Sequence, residues 1–198
     1  MNGFLSPLPI LRAGDEQELA RVTGKLSGEN LVSVSYIIPK EGHWPDGRHI
    51  DGVHEVDDGV KLSTTSDAVL IRWGMAGYVE GLSAQIVSKA ATKPDPALLR
   101  ELDMSGSSRW RQFLAKPLFI AGFATHVAPD ASEATIWSLR FASKQGPEVV
   151  IALGEWTKVG PSYIPDNLLA IFDEAVARSF TIPDNPVSAW GLDWEFQR

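Results

Sequence analysis

Residues 136–155, IWSLRFASKQGPEVVIALGE, hold two apolar-rich runs separated by Ser143-Lys144-Gln145-Gly146-Pro147. Trp137, Leu139 and Phe141 fall at every second position, and so do Val149, Ile151 and Leu153. Successive side chains on a strand point to opposite faces, so each triplet shares one face and the pair reads as an antiparallel hairpin. In the second run the other face is Val150, Ala152 and Gly154, again apolar or small. A strand with no polar face belongs inside a sheet that is covered on both sides. The hairpin is therefore expected in the middle of an antiparallel core.

A chain of 198 residues with 44% apolar and 22% charged side chains can bury one core of ordinary size. We read 1–198 as a single domain, with residues 1–30 as the segment that could form an N-terminal appendage. There is no cysteine, which excludes disulfides, thiolate nucleophiles and Cys-ligated metals. The start of the chain lacks a basic segment and carries Pro7 and Pro9, a poor pattern for a signal peptide. The longest apolar run, Pro117 to Ala124, falls far short of the roughly 20 residues that cross a bilayer. The expectation is a cytoplasmic protein with no membrane contact.

The net charge of −7 is concentrated in one place. Residues 41–67 carry seven acids, Glu41, Asp46, Asp51, Glu55, Asp57, Asp58 and Asp67, against Arg48 and Lys61. No basic patch is visible, since Arg109-Trp110-Arg111 is too short, and nucleic acid is not expected as a partner.

In chain order, a short helix is expected to open at Asp15 with acids in its first turn and to end near Gly24 or Gly28. Leu31 to Ile38 reads as a strand that buries Val32, Val34, Tyr36 and Ile38 and stops at Pro39. Glu41 to Asp58 reads as loop from its turn residues, Trp44-Pro45-Asp46-Gly47 and Asp58-Gly59. Gly59–Thr65 and Ala68–Trp73 form a second hairpin, and Leu82–Val87 a further strand. Asp95 before Pro96 predicts a helix over 95–103. A helical turn at Arg109–Leu114 precedes a strand at Leu118–Val127. Thr157–Ser162 reads as loop, Leu168–Phe172 as strand or helix, and Asp173–Phe180 as helix. In the tail, Trp190, Leu192, Trp194 and Phe196 alternate with Gly191, Asp193, Glu195 and Gln197, an amphipathic strand suited to core burial or to a homodimer contact.

Three of the four histidines, His43, His49 and His54, lie among these acids. Neutral imidazole with carboxylate can hold zinc or iron, and His49, His54 and Asp57 are the candidate ligand set. No His-Glu-x-x-His signature is present, and on an extended segment His54 would point away from Glu55 and Asp57. A solvated acidic loop with incidental histidines is the simpler reading, so neither a metal nor a cofactor is assigned. No Gly-x-Ser-x-Gly elbow marks Ser83 or Ser138 as a nucleophile, and Glu155 and Asp166 read as a strand end and a turn. The phosphate-binding glycine patterns are missing, and Trp44 and Trp110 are the tryptophans expected nearest solvent.

The fold expected from this pattern is α+β, mainly antiparallel sheet in a sandwich or open barrel, with helices near 15–24, 95–103 and 173–180. Two functions fit. The leading one is a non-enzymatic interaction domain, immunity-type or adaptor, presenting the acidic loop 41–67 to a protein partner with a basic surface. The alternative is a small metal-dependent hydrolase built on the same loop.

Overall fold

The alternating runs at 136–155 do pair, and they lie at the middle of a six-stranded sheet in the computed structural model, which describes residues 10–42, 52–88, 98–127, 132–144, 146–183 and 185–194. Among these residues there are three short helices, α1 Glu16–Ser27, α2 Ser108–Arg111 and α3 Glu174–Ser179. The strands are β1 Ser33–Pro39, β2 Val53–Val56, β3 Gly59–Ser63, β4 Asp67–Ala76, β5 Val79–Ser88, β6 Leu99–Asp103 and β7 Leu118–His126. They continue with β8 Thr135–Ser143, β9 Glu148–Leu153, β10 Glu155–Thr157, β11 Gly160–Ser162, β12 Leu168–Ile171 and β13 Leu192–Asp193.

One sheet runs β5-β4-β3-β1-β6, the other β13-β7-β8-β9-β12-β2, and β10 and β11 form a separate hairpin. Every pairing is antiparallel. The architecture is the expected α+β one, a pair of facing antiparallel sheets that do not close into a barrel. Tyr36, Leu62 and Ile71 of the first sheet and Leu139, Phe141 and Ile151 of the second belong to one buried apolar cluster. All nine residues of β8 are buried, with Ser138 and Arg140 on one face bonded inside the fold, as in a central strand covered on both sides.

The first 30 residues, over their described part, contribute to that cluster. Leu19, Val22 and Leu26 repeat at helical spacing and are buried on the face of α1 that meets β7. Ile120 N–H donates to the buried Thr23 hydroxyl at 3.3 Å and pins the helix to that strand. Leu11 lies between the sheets, donating its N–H to Leu82 of β5 and accepting from Ile136 of β8.

The structure corrects several assignments. Residues 99–103, expected as helix, are the edge strand β6, because pairing with the open edge of β1 supplies a full ladder that a short capped helix cannot match. The rest of that expected helix, 95–97, lies outside the described residues. Residues 53–56, expected as loop, are the edge strand β2 on β12. The expected loop 157–162 is most of the β10–β11 hairpin, and the ambiguous 168–171 is strand.

The tail also departs from expectation. Among the described residues of the tail, only Leu192 and Asp193 pair, with Phe123 and Gly122 of β7. Leu192 is 69% exposed, while Trp190 and Trp194 are half-buried against the core, so the three do not share one buried face. The Arg140 and Arg178 guanidiniums lie 4.6 and 4.4 Å from the centre of the Trp190 ring. Phe196 lies outside the described residues.

Candidate functional site

Of the ligand set read from the sequence, His49 lies outside the described residues. His54 sits on β2, 1% exposed, inside an aromatic cluster with Tyr36, Trp110, Phe113 and Phe172. Trp110, expected near solvent, is completely buried there. Its indole N–H can only donate, and it does so to the Tyr36 hydroxyl at 2.6 Å. The same hydroxyl lies 2.7 Å from His54 Nδ1, within hydrogen-bond distance. Burial pushes the Tyr36 hydroxyl far above its ordinary range and keeps it a donor.

The neighbouring acids have partners inside the molecule. Glu55, on the opposite face of β2, accepts from Trp156 N–H and from Asn167 Nδ2, both at 2.9 Å. Asp58 pairs with Arg72 at 2.5 Å, and Asp67 with Lys25 at 2.8 Å. Asp57 is exposed on the turn between β2 and β3. His54 is thus turned away from the acids that flank it. Among the described residues no group of three or more His, Asp or Glu side chains could hold a metal ion.

Another set of polar groups is gathered where the tip of the β4–β5 hairpin meets the root of the β10–β11 hairpin. Gly154 makes this meeting possible. With φ at +156° it turns the chain from β9 into β10, and a Cβ there would lie 2.8 Å from Ser162 O and 2.9 Å from the Phe180 ring. The hairpin packs close, and Tyr163 just beyond β11 donates its hydroxyl to Glu80 Oε2 at 3.3 Å. Burial, then the charge of Glu80, hold the Tyr163 phenol well above its usual range, so it stays a donor.

The Thr135 hydroxyl donates to Glu80 O at 2.6 Å and lies 3.5 Å from His126 O, joining the start of β5 to the end of β7. The His126 and Tyr163 rings are 5.9 Å apart, and Tyr163 also stands edge-on to the buried Trp137. Beside Tyr163 opens a groove of about 610 Å³, lined by Pro161, Ser162, Thr181, Ile182, Pro183, Asn185 and Pro186. Asn185 Nδ2 donates to Thr125 O at 2.6 Å, fixing the far wall of the groove to β7. The segments that meet Tyr163 carry exposed apolar side chains: Tyr78, 94% exposed, is two positions before Glu80, Met75, 42%, pairs with Glu80 across the hairpin, and Val127, 55%, follows His126.

Sequence reading passed over this place because Glu80, His126 and Tyr163 come from three segments with no motif in common. The prolines at 161, 165, 183 and 186 were the available signal, since they mark two segments that cannot form interior strands.

Fold and site define the chain as an antiparallel two-sheet α+β protein with an open groove at one end. No protein-family model, no curated protein and no solved structure matches it. No helix among the described residues is long and apolar enough to cross a membrane.

Proposed function

We propose that the chain is a non-enzymatic interaction domain, of the immunity or adaptor kind, that recognises a protein partner through the end of the molecule where Tyr78, Val127 and the Tyr163 groove meet. The observation that carries this reading is the exposure of Met75, Tyr78 and Val127 on the segments whose Glu80 and His126 meet Tyr163 of the groove. Scattered exposed apolar side chains are ordinary, but these lie on two segments that the Thr135 hydroxyl joins through the Glu80 and His126 carbonyls, and grouped apolar exposure marks contact surfaces. A tyrosine at a hairpin tip offers large contact area with few rotatable bonds to freeze.

The acidic segment 41–67 enters this reading as the electrostatic component, favouring a partner with a basic surface and speeding its approach. Glu55 and Asp58 are held inside the fold, so reversing their charge would disturb stability and would not report on recognition. The compartment that suits a chain without cysteine is the cytoplasm.

The test is a photo-crosslinking side chain placed at Tyr78 and, as a control, at the exposed Glu16 of α1. A single protein crosslinked from position 78, not from 16, and lost when Val127→Asp is added, is the expected result. No product from position 78, or the same products from both positions, would overturn the reading.

A further inference from the structure

We infer that the groove beside Tyr163 selects an extended basic segment of the partner, with an arginine guanidinium seated against Glu80 and the ring of Tyr163. The inference rests on the interaction reading above and specifies the chemistry of the partner.

Among the described residues, none of the eight side chains lining the groove is charged. The charges at its edges are acidic: Glu80 beside Tyr163, and Glu155, which pairs across the hairpin with Ser162 of the lining. Arg12, which bridges to Thr135 at the start of β8, is engaged by Glu133, and Lys158 sits at the far tip of the β10–β11 hairpin. The described charges at the groove mouth therefore favour a cationic ligand over an acidic one. Glu80 uses Oε2 to accept from Tyr163 and leaves Oε1 without a hydrogen bond among the described residues.

A carboxylate next to aromatic rings suits a planar guanidinium better than an ammonium, because the guanidinium can bond in its plane and stack on its face. The groove is open along its length and of a size within the about 300–1,000 Å³ typical of ligand sites, which admits a few extended residues. Pro161 and Pro183 line it with rigid apolar surface, leaving Ser162 and Thr181 as polar contacts for a peptide backbone.

The experiment titrates the isotope-labelled full chain with a seven-residue peptide alternating serine and arginine, and with its glutamine and glutamate counterparts, followed by NMR. The arginine peptide is expected to shift amides of 78–81, 126–127, 161–163 and 181–182. Its affinity should fall at least fivefold in Glu80→Gln, which keeps an acceptor for Tyr163 and should unfold at the wild-type temperature. It should also weaken as salt is raised.

If the glutamine or glutamate peptide binds the same residues as tightly, the basic-segment inference fails while the interaction reading stands. If Glu80→Gln binds the arginine peptide unchanged, or no peptide shifts these residues, the inference fails and the Tyr78 crosslink alone decides the broader reading.

Discussion

Asp58 and Arg72 make an ion pair that is almost withdrawn from water, and the pair is incompletely satisfied. Asp58 Oδ2 and Arg72 Nε are buried with no hydrogen-bond partner, although Asp58 Oδ1 and Arg72 Nη2 meet at 2.5 Å. Burial is the largest influence on the Asp58 carboxyl and raises it above the usual aspartate range, with the Arg72 charge pulling the other way. A folded value above the unfolded one means that the contribution of this group to stability is fully present below about pH 4. It is then lost as pH rises through the folded value. Asp58→Asn removes that titration and keeps an acceptor for Arg72. We therefore predict that the stability gap between wild type and Asp58→Asn, measured by urea unfolding, narrows between pH 4 and pH 7. A gap that widens with pH would show that the arginine outweighs burial.

At the scale of elements, the short strand β13 depends on the absence of a side chain on its neighbour. Gly122 of β7 pairs with Asp193, and a Cβ there would lie 2.5 Å from Leu192 O and 2.7 Å from Arg140 Nη2. Arg140, 4% exposed, donates to the Trp190 carbonyl at 3.2 Å and to Glu148 at 2.8 Å, and pairs with Asp193. Gly122→Ala is predicted to dislodge β13 and cost about 1–3 kcal/mol. The readout is faster hydrogen exchange at Trp194 N–H, which donates to Ala121 O at 2.9 Å. Unchanged exchange there would contradict this view of the tail.

Elements such as β8, β9, β3 and β4 were legible because their period-two pattern is strict and their partners are adjacent in sequence. Strand β6 was not, because its partner β1 lies about 65 residues away and the local Asp95-Pro96 cap pointed to helix. β2 was hidden by its charges. Glu55 is buried only because Trp156 N–H and Asn167 Nδ2, more than 100 positions distant, reach its carboxylate. The candidate site was unreadable for the same reason, since Glu80, His126 and Tyr163 converge only after three separate hairpins have formed.

For the molecule as a whole, the two sheets are held as one body by shared core and by chain crossings. Leu11 bonds to both β5 and β8, and Asp58 N–H donates to Ile37 O where the chain leaves β2 for β3. Tyr36, Trp110 and His54 add a buried polar link between β1, α2 and β2. On this account the core is a rigid base, and the β4–β5 and β10–β11 tips, with Tyr78 and Val159 almost fully exposed, are the parts free to meet a partner. Native-state hydrogen exchange tests this most directly. Amides of Tyr36, Leu62 and Ile71 in one sheet should exchange only by the same global opening as those of Leu139, Ile151 and Leu169 in the other, with equal free energies and equal denaturant dependence. One sheet opening several kcal/mol before the other would mean two separate cores, and the account of a single base presenting one recognition surface would be wrong.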